Sequence, residues 1–233
     1  MTIEQQHYDF KMKLNKIDSQ QYRNLIIPQI DWLLNEAQEL FVKMVANPRL
    51  AIQYGYEIGN RTLMDIRTIV VEEEPLTPIL NTIILPEKFW LYVSSYSIIE
   101  KDGCEKKSLK TYIRQHKEDF ESSPFDESSF KWKTVNGVFN ENGIRLFAED
   151  FNIKVFFLSY IRKLKYIHNA KDFRGGMYNL PGESVPLEGS VSCELPESTH
   201  REIVDIAVLL ATGQLQIPDY QIKKDKLSLN QII

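Results

Sequence analysis

The chain is poor in the residues that advertise chemistry. Its two cysteines, Cys104 and Cys193, lie far apart with no second cysteine near either, which excludes a disulfide scaffold and a Cys-x-x-Cys metal site; both read as reduced thiols. The four histidines, His7, His116, His168 and His200, are scattered without metal-ligand spacing. His200 falls in a first helical turn beside Glu202, where a solvent-facing role is expected. Gly175-Gly176 and the pair Gly55 and Gly59 lack the strand-to-helix context and the lysine of a phosphate-cradling loop, and read as turns. Cys104 has no histidine tied to it by spacing and reads as an ordinary strand residue. No stretch approaches transmembrane length, and the Met1 end has no basic segment followed by an apolar run; the expectation is a soluble, cytosolically made protein without a membrane partner. A net charge of -4 gives no global attraction for nucleic acid or acidic lipid, so any polyanion binding must be local. There is no internal repeat and no low-complexity tract. The sequence predicts no catalytic set, no metal site and no cofactor.

What is present is a substantial core. Apolar residues make up 43% of 233 positions, enough for one or two globular domains. The stretch Ser198 to Gly213 reads as a helix in which Thr199 and Glu202 have the spacing of a capping box and Gly213 supplies the stop. From Ile203 to Ala211 only Asp205 is polar, so this helix is apolar around most of its circumference and must be buried. Asp205 is then expected to face a partner donor or a wet edge. The natural partner is a second helix opened by Pro28, whose Ile30, Leu33, Leu34, Ala37, Leu40, Phe41, Met44 and Val45 share one face before Asn47-Pro48 ends it. Residues 4 to 17 fit both a helical stripe and strand alternation; the reading leans to helix. A short helix over about 61 to 67 precedes a β-rich Thr68 to Val71.

From residue 79 to 166 the period changes to two. Asp102-Gly103 joins a strand containing Trp90, Tyr92, Tyr96 and Ile98 to one running on through Tyr112 and Ile113, a hairpin signal. Phe130 and Trp132 alternate with Lys131 and Lys133 as in a strand, and Asn136-Gly137 and Asn142-Gly143 read as turns before a last strand from Ile153 to Ile167. Residues 118 to 129 are acidic and serine-rich and read as an exposed loop, as do the glycine- and proline-rich residues 174 to 198. Glu72-Glu73-Glu74 reads as the solvated end of an apolar strand. The fold class expected is α+β: a helical core formed by residues 1–75 and 195–216, a β-rich, antiparallel insertion over 76–194, and an extended C-terminal arm over 217–233.

One segment carries local charge. Between residues 154 and 174, Lys154, Arg162, Lys163, Lys165, Lys171 and Arg174 face only Asp172 and are interleaved with Phe156, Phe157, Tyr160, Tyr166 and Phe173. The functional reading is a basic strand facing phosphates, with Arg162, Lys163 and Lys165 as lumen or interface contacts; the competing reading is a sheet with a wet lysine face.

Several stretches taken together resemble a known group: Lys13-Leu14-Asn15-Lys16-Ile17-Asp18-Ser19, Leu34-Asn35-Glu36-Ala37-Gln38, Pro124-Phe125, Phe130-Lys131-Trp132 and Glu194-Leu195-Pro196-Glu197-Ser198-Thr199-His200. They resemble virion structural proteins of tailed bacteriophages, especially the neck ring proteins of crAss-like phages. The resemblance implies a non-enzymatic head-to-tail connector subunit in the virion neck or tail region, assembled in the host cytoplasm. It further implies a homo-oligomeric, dodecameric ring that contacts the portal protein and neighbouring ring or tail proteins while DNA passes through its lumen. The charge of residues 154 to 174 matches no motif of that group, and its role rests on charge alone; the alternative function is a nucleic-acid-binding module built on this segment.

Overall fold

The computed structural model describes residues 1–15, 25–46, 64–108, 110–114, 127–141 and 143–214. The Asn47-Pro48 stop, Gly55, Gly59, His116, most of the acidic loop and the expected arm over 217–233 lie outside them. The fold is mixed α+β, with helices near both ends of the chain flanking a β-rich middle. The chain divides into two compact units, a helical unit of residues 1–69 and 164–233 and a β unit of residues 70–163.

In the helical unit, α1 (Ile3–Asn15), α2 (Ile27–Ala46) and α3 (His200–Gln214) pack together, α3 against both of the others. Ile30, Leu34 and Phe41 of α2 and Phe10 and Leu14 of α1 are buried, as are Ile203, Val204, Ala207 and Ala211 of α3. The apolar circumference of α3 thus has two helices to cover it. Asp205, the polar exception, meets Lys13 of α1 at 2.7 Å, and Lys13 also holds Asp9 at 2.9 Å. Burial tends to lower the Lys13 pKa, but its bonds to Asp205 and Asp9 outweigh that and raise it. For Asp205 burial outweighs the Lys13 bond and raises the carboxyl above its ordinary value, so this pair orients α1 on α3 more than it stabilises the contact. The expected capping box is replaced: a 3-10 turn, Glu197–Thr199, runs into α3, and the Thr199 hydroxyl donates to the Pro196 carbonyl at 2.8 Å. His200 is buried, not solvent-facing; its Nε2 and Nδ1 lie 2.8 and 3.1 Å from the Leu195 and Met1 carbonyl oxygens. Of the short helix expected over 61 to 67, Met64 and Asp65 are helical, a 3-10 turn occupies Arg67–Ile69, and 61–63 lie outside the described residues.

Among the described residues the β unit holds two four-stranded sheets. The first has the order β1 (Val70–Leu76), β8 (Asn152–Arg162), β3 (Phe89–Lys101), β4 (Cys104–Lys107), all antiparallel. The second has the order β2 (Thr82–Ile83), β7 (Gly143–Phe147), β6 (Thr134–Asn140), β5 (Lys110–Arg114). Ile83, Val135, Ile144 and Leu146 of the second sheet and Ile99, Ile153, Phe156, Leu158 and Tyr160 of the first form one buried cluster. The Asp102-Gly103 turn forms as expected, with φ of 52° and 78° and Lys101 paired to Cys104. The second strand of that hairpin does not run on through Tyr112: β4 ends at Lys107, and β5 joins the other sheet, parallel to β6. Two further readings are corrected. Phe130 to Lys133 is not a strand but a loop closed by Ser129 and Thr134, whose backbones exchange bonds of 3.0 and 3.1 Å. Asn136-Gly137 is not a turn but lies inside β6, paired with Phe147 and Leu146 of β7; a Cβ at Gly137 would meet Leu146 Cδ2 at 3.0 Å, so the glycine eases the close packing of β7 and marks no bend. Gly143 is required more strictly, since at φ 138° a Cβ would lie 1.9 Å from the Ile83 carbonyl oxygen of β2.

Candidate functional site

The basic stretch is not one strand. Strand β8 ends at Arg162 rather than continuing to Arg174, and the boundary between the two units falls between Lys163 and Leu164. Arg162 and Lys163 therefore belong to the β unit and Lys165 to the helical unit. Most of the cations are also engaged at home. Lys154 is bonded to Glu105 and lies 3.1 Å from Glu100, which together raise its pKa. Lys165 lies 3.9 Å from Glu194, and Lys171 lies 3.4 Å from Glu4. Arg162 leans on the Lys163 carbonyl at 3.4 Å. Exposed pairs of this kind contribute little to stability. The acidic partner considered for these cations, residues 118 to 127, lies almost wholly outside the described residues.

A group of titratable side chains is buried in the helical unit around Asp31. α2 turns Asp31 inward, with no exposure, where three elements converge on its carboxylate. His7 Nε2 of α1 lies 2.7 Å from Oδ1; the Asn169 backbone N–H donates to Oδ1 and Oδ2 at 3.2 and 3.1 Å; and the Tyr178 hydroxyl donates to Oδ2 at 2.7 Å. One turn on, Asn35 donates to the Ile167 carbonyl at 2.7 Å and accepts from the Ile167 N–H at 2.9 Å, an amide standing in for a strand neighbour. Gln38 donates to the Lys165 carbonyl at 3.1 Å and accepts from the Cys193 thiol at 3.8 Å. Asp31, Asn35 and Gln38 follow the i, i+4, i+7 spacing of one helical face, so a polar stripe on α2 receives the backbone of 165–169.

This stripe explains why the boundaries differ from those expected. Residues 164–194, assigned from sequence to the insertion, belong to the helical unit because α2 supplies their backbone with hydrogen-bond partners; the insertion is 70–163, not 76–194. The small ribbon of β9 (Met177–Tyr178) and β10 (Leu187–Glu188) brings Tyr178 to Asp31.

The hub's electrostatics follow from burial beside one carboxylate. Burial and then the Asp31 bond push the Tyr178 hydroxyl far above its ordinary range, and burial followed by the Asp31 charge takes Tyr166 to about 12. Burial lowers the His168 pKa against the opposing pull of Asp31. Burial takes the Cys193 thiol up to about 11, which leaves it protonated and a poor nucleophile. His7 Nδ1 and His168 Nδ1 have no hydrogen-bond partner among the described residues, so the hub holds more polar capacity than the chain's own bonds use. Asp31, His7, His168 and Asn169 are each under 5% exposed, and the bonds of Asp31, Asn35 and Gln38 hold residues 165–169 against α2. Sequence reading missed the hub because Asp31, Asn35 and Gln38 sit among apolar residues of an amphipathic helix; their seven-residue span on the buried side was the available signal.

Exposed chemistry lies in the β unit. Cys104 is exposed and borders an open cleft of about 440 Å³ shared with Lys101, Asp102, Ser129, Phe130, Lys131 and Asp150. Among the described residues no group of three or more His, Cys, Asp or Glu is placed to hold a metal ion. No helix among them is long and apolar enough to cross a membrane. No family model matches the chain, and no curated protein matches it either.

Proposed function

We propose that the chain is a non-enzymatic structural subunit of a phage head-to-tail connector, a copy in a ring between portal and tail through which DNA passes. The observation that carries this reading is the apolar surface each unit leaves outside. On α1, Tyr8 and Met12, one turn apart, are 69% and 51% exposed, and Trp32 of α2 is 55% exposed. Along the β2 edge, Ile79, Leu80 and Ile84 are 59%, 96% and 62% exposed. Clusters of this kind fit surfaces that are covered on assembly. The resemblance to crAss-like neck ring proteins points the same way, and the burial of Asp31, His7 and His168 in a hydrogen-bonded hub spends the chain's most chemical side chains on architecture.

The nucleic-acid-binding alternative is weaker, since Lys154, Lys165 and Lys171 are paired internally. Arg162 and Lys163 remain the lumen candidates of the β unit, and Lys165 that of the helical unit. Electron microscopy of the purified chain, alone and with portal and tail neighbours, tests the reading. Rings, or stacking on the portal, support it, whereas a monomer that ignores its neighbours and turns over ester, phosphoester, glycoside or peptide substrates refutes it. Changing Arg162, Lys163 and Lys165 together to Gln then separates roles: altered DNA retention in intact rings marks the lumen, loss of rings marks the interface, and no change leaves a solvated face.

A further inference from the structure

The β unit carries acidic side chains on one edge of its first sheet and basic ones in a loop beside that sheet's other edge. On the edge strand β1 the register slips between Val71 and Glu74, extruding Glu72 and Glu73, both exposed. Glu73 is held at φ 52° with its N–H on the Ser159 hydroxyl oxygen at 3.1 Å, so the bulge is a fixed feature. Bulge and Pro75 together blunt this edge against strand addition, which leaves side-chain charge as its means of contact.

At the other edge is β4, and beside it the loop 130–133. Two backbone bonds between Ser129 and Thr134 close that loop, and the Ser129 N–H also reaches the Thr134 hydroxyl oxygen at 3.1 Å. Lys106 of β4 lies 4.2 Å from the Phe130 ring centroid, which places the loop at this edge. The loop presents Lys131, Trp132 and Lys133 to solvent, Trp132 at 67% exposure and Lys133 at φ 55°. Nearby, Lys101 pairs with Asp150 at 3.6 Å and Lys154 with Glu100 and Glu105, while Lys106 and Lys107 lie over the Phe130 and Tyr96 rings. Among the described residues, Glu72, Glu73, Lys131 and Lys133 have no ion-pair partner within the chain.

Three strand spacings separate the edges, about 14 Å, and the bulge beside Tyr160 is some eight residues along β8 from Asn152, the level of the basic loop, or about 25 Å. Two complementary patches this far apart suit a head-to-tail contact, in which each copy uses one corner on each neighbour and a suitable rotation closes a ring. Building on the ring-subunit reading, we propose that the Glu72-Glu73 bulge of one copy docks on the Lys131-Trp132-Lys133 loop of the next. Trp132 supplies a large apolar anchor between the lysines, and the charges set orientation. Nucleic acid on the loop would leave the exposed Glu72-Glu73 bulge without a counterpart, whereas a second copy of the chain uses both patches.

The test is a charge swap in the full chain. Glu72→Lys with Glu73→Lys gives a copy basic at both corners, and Lys131→Glu with Lys133→Glu gives one acidic at both. Each variant alone is expected to melt like the wild type yet self-associate at least tenfold more weakly by sedimentation velocity at low salt, and an equimolar mixture is expected to recover association. Undiminished association of both variants, or a mixture that fails to recover, overturns the docking while leaving the ring reading standing. A wild type that stays monomeric alone and with its virion neighbours overturns both. Loss of a DNA mobility shift in the Lys131 and Lys133 variant with association unchanged reassigns the loop to nucleic acid and overturns the docking.

Discussion

Removing the Asp31 carboxylate tests whether the hub holds the helical unit together. In Asp31→Ala three donors lose their acceptor at once: His7 Nε2, the Asn169 N–H and the Tyr178 hydroxyl. A buried donor left without a partner costs about 1–3 kcal/mol, and only part is recovered as water enters the space, so the expected loss is about 3–6 kcal/mol. A loss of that size is a large fraction of the roughly 5–15 kcal/mol that holds a typical domain folded. Opposing it is the cost of burying the carboxylate itself, which ends when the residue is replaced. The removal of one partner still dominates, because the others remain buried. Hydrogen exchange followed by mass spectrometry reads the effect locally: the amides of Ile167 and Asn169 are expected to lose protection while those of β3 and β8 keep theirs. Global melting alone does not separate the two units. If Asp31→Ala leaves exchange over 165–178 unchanged and stability within about 1 kcal/mol of wild type, the hub is not what fixes this segment. A companion replacement of Asp31 and His7 together by Leu is expected to be milder than Asp31→Ala, since it removes a donor along with the acceptor.

Three further outcomes are expected. His168 has its folded pKa depressed by burial below the ordinary 6.5, so the unfolded chain takes up the proton more readily; its contribution is intact above about 6.5 and is lost as pH falls from there towards the folded value, and His168→Gln should flatten that part of a urea-stability profile against pH. Leu80 is 96% exposed at φ 49°, so Leu80→Gly should stabilise the β unit by about 0.5–1 kcal/mol in chemical denaturation while weakening assembly; a destabilised β unit would show that the Leu80 side chain packs within the chain. Ala207 has no exposure, so Ala207→Glu should unfold the helical unit, whereas Asp205→Leu should change stability by no more than about 1 kcal/mol because its half-exposed partner Lys13 keeps Asp9; a wild-type melting curve for Ala207→Glu would refute the buried position of α3.

The chain's periodicity determined its elements. The all-round apolar Ile203 to Ala211 required burial, the stripe from Ile30 to Val45 required a partner, and Asp102-Gly103 specified its hairpin, because each of these signals is local: a helical face or a left-handed turn is encoded within a few residues. The turn at Leu80-Asn81, with φ of 49° and 60°, was not legible, since Leu has no preference for that conformation and the pairing of Ile79 with Thr82 imposes it. Asn136-Gly137 misled for the converse reason, its glycine answering a neighbour in β7 and not the local backbone. Only the tertiary structure decided that 164–194 belongs with the helices, that Arg162 and Lys163 fall in a different unit from Lys165, and that two glutamates sit on one edge of the first sheet while two lysines sit in the loop beside its other edge. Partners there are set by strand order and by hydrogen bonds such as Asp31 to Asn169, spanning 138 positions, and no periodicity along the chain records distances of that kind.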